Sequence, residues 1–170
     1  TYVLGCLVSA AMGEKLAATL SRAIWQPAGM EFDAYYTLES DGGQEIGGSR
    51  AGIALRDFGR FGQFILEDGA AAGHRILPEG WVTEAGRRHF ALDPATTSYG
   101  ADGYGYSWWI DPDGAMVAVG FAGQSIYVNR AARTVIVSLS CWPQPPYAAS
   151  YVLDFAAARR AFHAGVLAAL

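Results

Sequence analysis

The sequence predicts an α+β fold, an antiparallel sheet flanked by helices, and three observations predict it. Near the start, apolar residues recur at helical spacing: Val3, Leu7 and Ala11, then Leu16, Leu20 and Ile24. From Tyr104 onward the period changes to alternation, the signature of half-buried strands. After a proline-rich break, Tyr151, Phe155, Phe162 and Val166 restore the helical period. Helices first, hairpin-linked strands next and a helix last is segregation of element types, the α+β pattern.

Each element follows from local chemistry. Gly13 ends the first helix, and Pro27 with Gly29 ends the second. Tyr35, Tyr36 and Thr37 are β-prone, Asp41-Gly42-Gly43 is a turn, and Gly47-Gly48-Ser49 is a tight loop. A helix over 55–67 places Leu55, Phe58, Phe61, Phe64 and Ile65 on one side. Its N-cap, Ala54, caps poorly, while Asp57 favours the helix dipole and is read as structural. A shorter helix begins at Pro78 and includes Trp81 and Val82.

In a strand over 104–110, Tyr104, Tyr106, Trp108 and Ile110 share one face, with Gly105, Ser107 and Trp109 on the other. Asp111-Pro112-Asp113-Gly114 is a hairpin turn, since Pro presets φ and Gly permits a positive φ. Strands follow at 116–119, 125–129 and 134–141, the last with Val135, Val137, Leu139 and Cys141 on one face. Pro143, Pro145 and Pro146 break the chain before the closing helix.

The 170 residues suit one domain, and 52% hydrophobic content supplies a core. Only 16% of residues are charged and 13% are aromatic, the opposite of a disordered composition. A net charge of -4 with one lysine, Lys15, argues against a nucleic-acid partner. The uncharged run 2–12 has no positive flank or cleavage site and is too short to span a bilayer. The uncharged run 134–153 is broken by prolines, so no membrane insertion is expected. Cys6 and Cys141 have no metal-ligand spacing and are expected as small buried hydrophobes; a disulfide would require an oxidising compartment.

The catalytic inventory is short. His74, His89 and His163 lack zinc spacing, with His163 read as structural and His74 and His89 in loops. No metal or cofactor is expected. A Ser-His-Asp triad is assembled by geometry, so composition leaves it open. Yet no G-x-S-x-G elbow supports one, since Gly123-Gln124-Ser125-Ile126-Tyr127 fails at its last position. Met12 stands where a Ser-x-x-Lys pair ending at Lys15 would need serine, and no glycine-rich phosphate loop occurs. What remains is Val119-Gly120-Phe121-Ala122-Gly123-Gln124. Its small residues let a ligand or another backbone approach, and N–H groups at a strand edge can polarise a carbonyl. The alternative is a plain turn.

Several segments carry a resemblance. Tyr2-Val3-Leu4-Gly5, Gly13 and Trp25-Gln26-Pro27-Ala28-Gly29-Met30 resemble the β-lactamase-related serine hydrolases. That superfamily includes class C β-lactamases, penicillin-binding proteins and serine esterases. Asp33-Ala34-Tyr35-Tyr36, Gly47-Gly48-Ser49 and Leu55-Arg56-Asp57-Phe58-Gly59-Arg60-Phe61-Gly62 are similar to one branch, the 6-aminohexanoate-dimer (nylon-oligomer) hydrolases. So are Ile76-Leu77-Pro78-Glu79-Gly80-Trp81-Val82, Tyr104-Gly105-Tyr106-Ser107-Trp108-Trp109 and Gly123-Gln124-Ser125-Ile126-Tyr127-Val128. The matches run in order along nearly the whole chain.

The resemblance implies a β-lactamase/transpeptidase-like fold of which this chain is the C-terminal part. It implies a Ser-x-x-Lys nucleophile and base and a catalytic tyrosine upstream of Thr1, so the chain alone is expected not to hydrolyse substrate. The superfamily's third motif, often Lys-Thr-Gly or His-Thr-Gly, reads Ala118-Val119-Gly120 here, which removes the cation that would recognise a β-lactam carboxylate. By resemblance the oxyanion donor lies at Gly120 and Phe121, through the Phe121 N–H, with Gly123 as a second register. Gly47-Gly48-Ser49 resembles a loop bordering the substrate cleft, the alternative being a plain turn. Gly123 and Gln124 would also face substrate, as would at most one of Trp108 and Trp109, the other being core. The implied partner is a small linear amide or ester. The alternatives are an esterase of the same fold and a non-catalytic binding domain.

Overall fold

The computed structural model describes residues 1–97, 99–143 and 149–170, and for 149–154 the backbone alone. Pro145, Pro146 and the Tyr151 side chain therefore lie outside the described residues. Helix α1 (Tyr2–Met12) ends at Gly13, whose N–H bonds the Ser9 carbonyl from a left-handed conformation. Helix α2 (Leu16–Leu20) runs on into a π-helical turn, Ser21–Trp25. Its N-terminus has no side-chain cap of its own. Instead the buried Glu45 carboxylate accepts the Leu16 and Ala17 N–H groups, the second at 3.2 Å. A carboxylate there meets orphan donors and the positive end of the dipole together.

Strands β1 (Tyr35–Tyr36) and β2 (Ala51–Gly52) form a small antiparallel pair, extended by a Leu38–Glu45 bridge. Helix α3 (Leu55–Leu66) forms without a capping bond from Ala54. A missing cap costs about 1 kcal/mol. Burying Phe64 and Ile65 (2% and 5% exposed) contributes about 2 kcal/mol each, so packing decides the helix. Gly62 lets α3 lie close on the sheet, since a Cβ there would stand 2.4 Å from Val135. Leu55, expected on the buried side, is exposed because it precedes the stretch that meets the sheet. Strands β3 (Ala70–Ala71) and β4 (His74–Arg75) make a second hairpin, which takes His74 out of a loop.

Helix α4 (Trp81–Ala85) starts three residues later than Pro78, because Gly80 adopts a left-handed conformation (φ 78) that holds 78–80 in a turn. The main sheet is a six-stranded antiparallel meander. It comprises β5 (Phe90–Ala91), β6 (Gly103–Gly105), β7 (Trp108–Ile110), β8 (Met116–Val119), β9 (Ser125–Asn129) and β10 (Thr134–Ser138). Side chains alternate faithfully along it. Ile110, Met116, Ile126 and Val128, with Trp108, Val135 and Val137, face α3. Ala115, Val117, Tyr127 and Ile136, with Trp109, face helix α5 (Ala149–Ala168) through its Val166 and Leu167.

Further expectations are corrected. The strand expected over 104–110 is a hairpin that turns at Tyr106 and Ser107, both at positive φ (44 and 70). Tyr104 therefore pairs with Trp109 and Gly105 with Trp108, which sets Tyr104 on the opposite face from Trp108. Strand β10 stops at Ser138, so Leu139 and Cys141 fall beyond the ladder and are exposed. Cys6 and Cys141 are exposed free thiols, since Cys6 sits on a helix whose apolar side is uncovered. On α1, Val3, Leu4, Leu7, Val8 and Met12 are all exposed, and Gly5 alone is buried. Phe162 on α5 is likewise exposed. Among the described residues no single helix is long and apolar enough to cross a membrane.

Candidate functional site

The segment joining β8 to β9 is a hydrogen-bonded loop. The Gly120 N–H donates to the Gln124 carbonyl at 2.7 Å, and the Gly123 N–H to the Gly120 carbonyl at 3.2 Å. The Gln124 side chain staples it, with Oε1 accepting the Ala122 N–H and Nε2 donating to the Ser140 carbonyl, each at 3.1 Å. The Trp142 N–H closes the far side on the Ala122 carbonyl at 3.0 Å. Two anchors thus join the loop to the chain beyond β10. Gly123 has φ 89 and lies under the Trp142 indole, which in turn stacks on Phe155 at 4.8 Å. Phe121 stands at the tip with its side chain 59% exposed. A glycine-rich loop bound this way has a fixed backbone, which is what a preorganised donor requires.

The other candidate residues fall elsewhere. Gly47-Gly48-Ser49 is a turn packed on the helix pair: a Cβ on Gly47 would stand 2.9 Å from Gly5 Cα and from a Leu16 methyl. Tyr2 lies across Gly48, and its hydroxyl shares a 2.9 Å hydrogen bond with Ser49 Oγ. Trp108 stacks on Phe61 of α3 at 6.5 Å. Trp109 sits edge-on between Tyr99 (4.8 Å) and Tyr104 (4.9 Å) on the opposite face. Both indoles thus have aromatic neighbours within the fold.

Asp33, Tyr35 and Ile53 line a cleft of about 90 Å³ with Leu20 and Trp25. Two buried carboxylates have partners that the sequence does not signal, because those partners are backbone groups far away in the chain. One is Glu45, described above. The other is Asp57, fully buried, whose Oδ1 and Oδ2 accept the Glu31 and Phe32 N–H groups at 2.7 and 2.9 Å. Arg60 adds a 3.1 Å ion pair. Asp57 is a brace that holds the 31–32 segment to α3. Among the described residues no group of three His, Cys, Asp or Glu could hold a metal ion.

No family profile matches the chain. The 6-aminohexanoate-dimer hydrolase of Paenarthrobacter ureafaciens is 31% identical over 153 residues, covering 85% of this chain and 38% of that protein. A solved Bacillus anthracis structure, provisionally named 6-aminohexanoate-dimer hydrolase, has a TM-score of 0.70 at 28% identity. It covers 95% of this chain and 42% of its own. A Bacteroides dorei DSM 17855 structure, provisionally named beta-lactamase, has a TM-score of 0.62 at 18% identity, a likeness of fold alone. It covers 91% of this chain and 54% of its own. The chain spans well under two thirds of each of these proteins. In sequence and in fold it is similar to one part of the 6-aminohexanoate-dimer hydrolases, and it carries part of a β-lactamase-like fold.

Proposed function

We propose that these residues form part of a serine hydrolase that cleaves a small linear amide or ester by acyl transfer. A serine would attack the carbonyl, backbone N–H groups would hold the oxyanion, and water would then hydrolyse the acyl-enzyme. In this reading the nucleophile and its base precede Thr1, since no Ser-x-x-Lys occurs in these 170 residues. The chain supplies the Phe121 N–H as one oxyanion donor. Gly120, Gly123 and Gln124 hold that donor in place, and Gly47, Gly48 and Ser49 border the cleft. The observation that carries the reading is the 31% identity to 6-aminohexanoate-dimer hydrolase. The stapled β8–β9 loop supports it, being able to present an N–H at a fixed position.

The test uses a protein in which these residues are joined to the preceding segment. Phe121→Ala keeps the N–H and Phe121→Pro removes it. The first should retain turnover of a p-nitrophenyl ester and of the 6-aminohexanoate linear dimer. The second should lose about a hundredfold in kcat. Equal activity in the two variants would remove Phe121 from the mechanism. Failure of a fluorophosphonate to label a serine upstream of Thr1 would overturn the serine chemistry itself.

A further inference from the structure

The cleft of about 90 Å³ opens between α2, with its π-helical continuation, and the β1–β2 pair. Ala17, Ser21 and Trp25 recur every fourth residue and form the helical wall. Tyr36 and Ala51, cross-strand partners that share a face, form the other. The helix widens along this wall: the Gln26 N–H donates to the Ser21 carbonyl at 3.0 Å, and the Met30 N–H to the Trp25 carbonyl at 3.1 Å. Such π-helical turns are rare and occur frequently at functional sites. The space equals that of about three waters, enough for a chain of about four heavy atoms.

The polar groups of the lining have one sign. Asp33 is its one charged side chain, and it is exposed to solvent. Among the described residues neither the Asp33 carboxylate nor the Tyr36 hydroxyl has a hydrogen bond or ion pair. Burial first, and then the negative charge of Glu45, raises the Tyr36 pKa, so the hydroxyl stays neutral in a negative field. Ser21 Oγ accepts one bond, from Gln26 Nε2 at 3.1 Å, and keeps a second lone pair. The Trp25 indole N–H is spent on the Phe32 carbonyl at 2.9 Å, which fixes the ring beside the cleft. Unspent acceptors, one negative charge and an aromatic ring favour a cation that carries N–H donors.

We infer that this cleft binds a short primary alkylammonium, its N–H donors meeting the Asp33 carboxylate and the Tyr36 and Ser21 hydroxyl oxygens, its alkyl chain lying against Ala17, Ala51 and Ile53. The inference is independent of the hydrolase reading, since no residue assigned to acyl transfer lines the cleft.

The experiment titrates the protein with propylammonium, 1-propanol and propionate, which share a carbon chain and differ in charge. Binding is followed by calorimetry and by the NMR signal of the Trp25 indole N–H. Propylammonium should saturate and shift that signal, and should bind about fivefold more weakly to Asp33→Asn. Asp33 is exposed, so this variant should fold. Tyr36→Phe, which removes the hydroxyl and keeps the ring, gives a second reading and should also weaken binding. Equal binding of 1-propanol would show that charge is not read, and preference for propionate would reverse its sign. Either result overturns the inference, as do unchanged affinity in both variants and an absence of binding by all three.

Discussion

Gly123 lies directly beneath Trp142: a Cβ added to this glycine would stand 2.2 Å from the indole Nε1. The indole cannot retreat without leaving its stack on Phe155, at 4.8 Å and 16°. Gly123 also holds φ at 89, which an L side chain adopts at a cost of about 1–2 kcal/mol. Gly123→Ala therefore carries two separate penalties, strain and overpacking, of about 3 kcal/mol together. Trp142→Ala in the same chain should relieve the contact and leave the strain. A double-mutant cycle by urea denaturation measures the split. Simple additivity would show that the ring does not press on the glycine.

Asp57 should behave as a brace. Its two oxygens each accept a backbone N–H, so Asp57→Asn turns one acceptor into a donor facing a donor. The expected loss is about 3 kcal/mol. Arg60→Gln removes a partly exposed partner and should cost under about 1 kcal/mol. Thermal denaturation of the two variants gives the ratio, and equal losses would relocate the brace to the ion pair.

The turn at Tyr106 and Ser107 is strained at both central residues. Ser107→Gly should stabilise the protein by about 0.5–1 kcal/mol, the relief of positive φ exceeding the added chain entropy. Tyr106→Asn tolerates the same backbone but loses a ring stacked on His89 at 4.8 Å and 4° and lying 5.6 Å from Trp81. It should not stabilise. A gain from Tyr106→Asn matching that from Ser107→Gly would mean the aromatic contacts contribute nothing.

That turn also shows where the sequence was silent. Asp111-Pro112-Asp113-Gly114 announced its hairpin because its residues suit the required dihedrals. Tyr106-Ser107 lacks the Asn-Gly chemistry of a two-residue turn. Its conformation is held by rings that meet only after folding, so a single strand was the natural reading of 104–110. Strands β8 and β9, and β10 as far as Ser138, were legible because both faces of the sheet are covered there and alternation has physical content on both, whereas the two-residue β5 (Phe90–Ala91) is too short to show a period. Helix α1 was legible as a helix but not in its burial, since spacing reports which residues share a side and not what covers it. Within the candidate site, the glycine-rich loop was visible as composition. Its staples, Gln124 to Ser140 and Trp142 to Ala122, join segments that only the β9–β10 hairpin brings together.

His163 and Asp111 pull the acid stability of this fold in opposite directions. Burial, reinforced by Arg159 and opposed by Asp113, pushes the His163 pKa from 6.5 down to about 4. Between those values the unfolded chain binds a proton that the folded chain does not, so this group's stability is lost as pH falls from 6.5 to about 4. Burial raises Asp111 from 3.8 to about 6, with Arg159 acting against it and Asp113 with it. Here the folded chain binds the extra proton, so stability is gained as pH falls from about 6 towards 3.8. Each completed shift amounts to about 3 kcal/mol, so the two nearly cancel between pH 4 and 6. His163→Phe keeps a ring against Tyr127 and removes the first contribution, so the variant should gain stability as pH falls through this window. Asp111→Asn leaves His163 alone and should lose stability over the same window, whatever its offset from an unpaired Arg159. Asp113, Tyr127 and Arg160 are common to all three proteins, so urea denaturation across the window isolates the pair. Parallel pH profiles in the three proteins would refute this opposition.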